Sequence, residues 1–141
     1  EAVNAQAILK VLFDQAELDR ADKTTEYGGL LFAADAGGQQ ATGFVAVPFP
    51  PRGGQRSGDN EFVASEDMVR AGDRALAHFH FHVQRTQNEE YAGPSIGDLI
   101  YTARSGRAQV VVTSVGAGRL NIDYYQPNGV IIDLGVVTTG R

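Results

Sequence analysis

Apolar residues along this 141-residue chain alternate between a helical and a strand period, and the changes of period mark out its elements. Ala5, Ile8, Leu9, Leu12 and Ala16 recur at i, i+3, i+4 spacing, with Asn4, Lys10, Asp14 and Gln15 off the stripe, which predicts a helix over 2–19. A polar connection follows at 20–25. A strand is expected over 26–33, where Gly28 and Gly29 let another backbone or a ligand approach closely. Residues 35–40 read as a turn and 41–47 as the hairpin partner. Pro48, Pro50 and Pro51, with Gly53, Gly54 and Gly58, predict an irregular loop over 48–60. A short strand is expected at 61–64. Ser65 then reads as an N-cap, with Glu66 and Asp67 in the first turn of a short helix ending near residue 74.

The second half opens on strict alternation, with a strand predicted over 75–83. Residues 84–93 are polar and read as an exposed loop, in which Asn88, Glu89 and Glu90 are solvated. Pro94-Ser95 opens a helix to about residue 104, and 109–114 (QVVVTS) is apolar on both faces, as a central strand would be. Residues 116–118 turn the chain; 120–125 and 130–134 form a hairpin around Gln126-Pro127-Asn128-Gly129. The sum is an α/β (α+β) fold: a mixed, mostly antiparallel sheet flanked by two or three helices. Neither an internal repeat nor a second domain is evident, so residues 1–141 read as one domain.

Composition narrows the function classes. The 43% hydrophobic and 21% charged fractions are those of a water-soluble globular domain. Net charge is −5, and the lysines, Lys10 and Lys23, form no basic cluster, which argues against nucleic acid or an anionic membrane surface as partner. The absence of cysteine removes disulfides, thiolate-bound zinc and thiol catalysis, and leaves the compartment unspecified. No apolar run approaches the ~20 residues of a membrane span. The chain begins at Glu1 rather than Met and shows no signal-peptide pattern, so a trimmed piece is expected.

The alternating strand concentrates the ligand chemistry. His78, His80 and His82 alternate with Phe79 and Phe81, so the imidazoles share one face of the strand and the phenyl rings the other. Two histidines at i and i+2 can direct both rings at one metal ion, and a carboxylate completes a three-ligand set with a fourth position for water. Hydrolysis at such a site also needs a base that is not a ligand and a donor for the developing oxyanion. One candidate exists for each part: His80 and His82 as ligands, Asp98 as the third ligand, Ser95 as the oxyanion donor, Glu26 as the base. His78 and His80 could form the pair instead, but His80 and His82 lie nearer the polar end of the strand; His78 reads as a buried supporting histidine. Ser95-x-x-Asp98 has a second, compatible reading as a helix capping box. Glu26 alone would be an ordinary residue at a strand start, and Phe79 and Phe81 core residues.

Taken together, Glu26 ahead of Gly-Gly-Leu-Leu, His80-x-His82, Ser95-x-x-Asp98 and the buried Gln109-Val-Val-Val strand resemble the JAB/MPN (JAMM) metalloprotease domain over roughly residues 24–135. The Glu-Tyr-Gly-Gly stretch and the Tyr-Tyr-Gln-Pro-Asn-Gly-Val tail are similar to divergent bacterial members, some of them attached to Rhs-type or other secreted proteins. The resemblance implies an MPN-type fold, one Zn2+ ion, and hydrolysis of peptide or isopeptide bonds in a protein or peptide substrate, often at a ubiquitin-like C-terminus. Two features depart from the pattern: Val83 stands where the family usually has proline, and the interval from His82 to Ser95 is longer. Two other functions compete, a catalytically inactive MPN-like binding or scaffold module and a cupin-like His-x-His metal fold. A cupin wants a glutamate three or four residues past the second histidine, where this chain has Arg85, Thr86 and Gln87.

Overall fold

A computed structural model describes residues 2–22, 26–33, 44–52, 66–71 and 74–138. Helix α1 (Ala2–Ala21) is followed by strands β1 (Glu26–Ala33) and β2 (Phe44–Arg52), helix α2 (Glu66–Ala71), strand β3 (Ala77–His82), helix α3 (Ile96–Ser105), and strands β4 (Gln109–Gly116), β5 (Arg119–Tyr125) and β6 (Ile131–Thr138). The strands make one six-stranded sheet in the order β2-β1-β3-β4-β5-β6. Among the described residues, only β3 and β4 run parallel; every other neighbouring pair is antiparallel. The fold is therefore α+β, a mixed and mostly antiparallel sheet with three helices among the described residues. None of those helices is long and apolar enough to cross a membrane.

The sheet is polar on one face and apolar on the other, and each strand's alternation decides what goes where. Phe79 and Phe81 meet edge-to-face at 5.8 Å and pack with Val110, Val112, Leu120 and the α1 stripe, Leu12 and Ala16. Asp19, also buried, ties the end of α1 to the start of β1 by accepting the Tyr27 N–H at 2.9 Å. The opposite face carries the histidines, with Leu30 and Met68 of α2 forming a small apolar cluster at one end.

Several boundaries differ from the sequence expectation, for physical reasons. The loop expected over 48–60 begins as strand, because β2 runs on through Pro48 to Arg52. Among the described residues it lies at the sheet edge and pairs with β1 alone, where proline's missing N–H is tolerated. Between Glu26↔Arg52 and Gly28↔Phe49 the pairing shifts, so that Pro50 and Pro51 fall in a bulge. Residues 41–43, 53–60, the strand expected at 61–64 and the Ser65 cap lie outside the described residues. At the other edge β6 continues past Leu134 to Thr138. It does so across an irregularity opposite Ile122 and Asp123, with Gly135 at φ +93° and its N–H donated to Asp133 Oδ1 at 2.8 Å.

The close approach expected at Gly28 and Gly29 is made by the protein itself. β1 is interior, between β2 and β3, so it offers no edge to an added strand; β2 and β6 are the edges. A Cβ on Gly29 would lie 2.3 Å from the Val47 carbonyl oxygen and 2.5 Å from Phe79 Cζ. Gly29→Ala should therefore destabilise the protein by roughly 1–3 kcal/mol, the range for overpacking a filled core. Urea denaturation of variant and parent at neutral pH measures it; equal midpoints would refute this packing.

Candidate metal centre

Topology decides where the ligands meet. Because β3 and β4 are parallel neighbours, the chain between them must cross back over the sheet, and α3 is the helix of that crossover. The C-terminal end of β3 and the N-terminal end of α3 therefore lie at the same end of the sheet. β3 delivers His80 and His82 there, and α3 delivers Asp98 in its first turn.

α3 begins where the sequence places it. Ser95 is the N-cap, its Oγ accepting the Asp98 N–H at 3.1 Å while its own N–H donates to Asp98 Oδ2 at 2.9 Å. This is a complete capping box in which the N3 residue also belongs to the candidate site. From the strand side, His80 Nε2 lies 3.2 Å from Asp98 Oδ1 and His82 Nε2 lies 3.1 Å from Asp98 Oδ2. The two rings stand 5.1 Å apart at 73°. One ligand atom from each of His80, His82 and Asp98 falls within 4.8 Å of the other two. The side chains are 3%, 10% and 1% exposed in that order, so the group is buried, His82 least deeply.

The donors fit a metal ion. Ligand bonds of 2.0–2.2 Å around a tetrahedral zinc put neighbouring donor atoms about 3.4 Å apart; here each ring nitrogen approaches a different Asp98 oxygen, and one donor from each residue lies within 4.8 Å of the other two. Three protein donors of this kind are the set that catalytic zinc takes, and two histidines with one carboxylate also suit non-haem Fe(II). Electrostatics agree. Burial pushes the Asp98 carboxyl up, but the charge of the adjoining imidazoles and hydrogen bonds from both rings outweigh it, holding the group well below the ordinary carboxylate range.

Of the three histidines, His80 and His82 approach Asp98, and His78 is not in the group. His78 is buried one step deeper, its Cα paired with Gln109, and neither ring nitrogen has a hydrogen-bond partner among the described residues. Ser95 stands at the cap beside Asp98. Glu26 opens β1, whose antiparallel pairing puts its start beside the end of β3; the Glu26 side chain is outside the described residues. Val83 fills the apolar core, and its carbonyl accepts the Arg20 Nε–H at 3.4 Å. The 84–93 loop contains a single 3-10 turn, Glu89–Tyr91, and is pinned by Gln87 N–H to Ser114 O at 2.8 Å and by Arg119 to Glu89 at 3.2 Å. Glu89 and Glu90 are exposed, as expected.

Sequence reasoning missed the polar floor of this face. Gln109, Thr113, Asn121 and Asp123 on β4 and β5, with Thr102 on α3, are all buried. Tyr125 is buried beside Thr102, and burial together with the Asp98 charge raises its hydroxyl far above the ordinary tyrosine range. The signal was the polar alternation Asn121-x-Asp123 within a strand. By contrast, an apolar cavity of about 500 Å³, lined by Leu12, Val110 and Leu134 among others, opens on the α1 face, away from the histidines. Compared with known proteins, the chain matches no family model and no curated protein.

His78 gives this face a pH dependence. Burial first, then Arg107 and His80, lower its pKa to about 4 from 6.5. Between those values the unfolded chain binds a proton that the folded one does not, so stability is full above pH 6.5 and falls as pH drops toward 4. From pH 7 to 5 this loss is about 2 kcal/mol, and His78→Leu should abolish that share. Urea titrations of parent and variant at both pH values measure the difference.

Proposed function

We propose that this protein is a zinc-dependent hydrolase of peptide or isopeptide bonds, of the JAB/MPN (JAMM) type. The observation that supports the reading is the approach of His80 and His82 to the two oxygens of one buried carboxylate, Asp98, with Ser95 one turn earlier on the same helix. When bound in such a donor set, zinc supplies an acidified water, with a pKa near 7, and a Lewis acid for a substrate carbonyl.

The chain's own residues supply the rest. Asp98 is ionised and oriented by its bond from the Ser95 N–H, so a ligand is in place without reorganisation. The Ser95 Oγ accepts from Asp98 N–H in the cap, and its O–H is the group that donates to a developing oxyanion. Glu26, at the start of β1, is assigned as the base that takes the water's proton and returns it to the leaving amine. The substrate is a protein or peptide that presents an extended segment, such as a ubiquitin-like tail, from the His82 side.

Metal analysis of protein purified without chelator, combined with turnover of isopeptide-linked and linear peptide substrates, tests this. We expect stoichiometric zinc in the parent, none in His80→Ala, and full zinc with turnover reduced about 10²–10⁴-fold in Glu26→Gln. Full activity in Glu26→Gln removes the base, and iron in place of zinc points to oxygen chemistry. Zinc without turnover favours a binding module.

A further inference from the structure

The rows of the sheet connect the histidines to a second polar group. His80 is Cα-paired with Val111 and Val111 with Asp123; His82 is paired with Thr113 and Thr113 with Asn121. Cross-strand partners share a face, so Thr113, Asn121 and Asp123 lie on the histidine face, two of them on the far side of β4. All three are buried. Asn121 Nδ2 donates to Asp123 Oδ2 at 2.7 Å.

The segment entering α3 passes directly over this group. Gly93 adopts φ +135°, a backbone state that favours glycine, and its N–H donates to Thr113 Oγ1 at 3.4 Å. A Cβ on Gly93 would point at Asp123, 3.7 Å from Oδ2. Two residues later Ser95 donates to Asp98. A buried acid is a poor choice for stability alone. Burial, opposed by the Asn121 bond and reinforced by Asp133 across the pair to β6, raises the Asp123 pKa to about 6. An apolar residue would avoid that cost.

We propose that Asp123, held by Asn121 beneath Gly93, is a positioning residue for the metal centre, fixing the 93–95 segment that delivers the Ser95–Asp98 cap to His80 and His82. The proposal rests on the metal-centre reading above and adds residues from β4 and β5 that touch no ligand. Outer groups that orient ligands typically contribute 10–100-fold to metal affinity.

The test is zinc affinity by chelator competition on the intact chain, with the visible spectrum of the Co2+-loaded protein reporting ligand geometry. Asp123→Ala is expected to weaken zinc about 10–100-fold and alter the Co2+ bands. Asp123→Asn, which keeps an oxygen for the Asn121 amide, should restore affinity to within a few-fold of the parent. Gly93→Ala, strained by its φ, should weaken zinc as Asp123→Ala does. Parent-like affinity and spectra in folded Asp123→Ala overturn the proposal, whatever Gly93→Ala does. If Asp123→Ala does not fold, Gly93→Ala decides by the same criterion. Absence of zinc binding by the parent would instead overturn the metal-centre reading itself.

Discussion

The arrangement depends on one buried carboxylate. Asp98 closes the α3 capping box through Oδ2 and faces an imidazole with each of its oxygens. An isolated ionised carboxylate at this depth would be expelled or protonated. Here the helix N-terminus, the Ser95 N–H and the two histidines compensate it. The same atoms that start the helix therefore fix where the Asp98 carboxylate meets the two imidazoles. The capping role of Ser95-x-x-Asp98 and the proposed chemical one are thus compatible in a single arrangement.

Topology explains why a single end of the sheet receives all of this. In a sheet built otherwise from antiparallel neighbours, the lone parallel pair forces a crossover. Such a crossover brings a strand's C-terminus and the next helix's N-terminus together, the region where open sheets commonly place ligands. The pinned 84–93 loop spans the gap between them. Its length is accommodated by contacts to β4 and β5 rather than by the ligands.

Much of this was legible from period alone. His-Phe-His-Phe-His assigns its own faces, and Gln109-Val-Val-Val declares an interior strand. Ser95-x-x-Asp98 marks a helix start whose boundary the structure reproduces within a residue. Other features were not legible, because they depend on partners distant in sequence. Whether Pro48–Arg52 is strand or loop turns on β2 being an edge, which only the assembled sheet decides. The roles of Asp19, Asn121 and Asp123 follow from what lies opposite them, not from their local pattern. Which two of the equivalently spaced histidines approach an acid depends on where Asp98 lies, and the structure places Asp98 beside His80 and His82.

The contact between Gly29 and Phe79 bears on that last ambiguity. Sliding β3 by two residues preserves which side chains face which way, so the pleat alone does not forbid it. The slide that would carry His78 and His80 to the place now held by His80 and His82 sets Ala77, not Phe79, over Gly29. A notch shaped by the absence of a side chain would then lose the phenyl ring that fills it, leaving a void in an otherwise dense interior. A glycine on a neighbouring strand, with no donor atom of its own, thus acts as the detent that selects which two of three imidazoles face the acid.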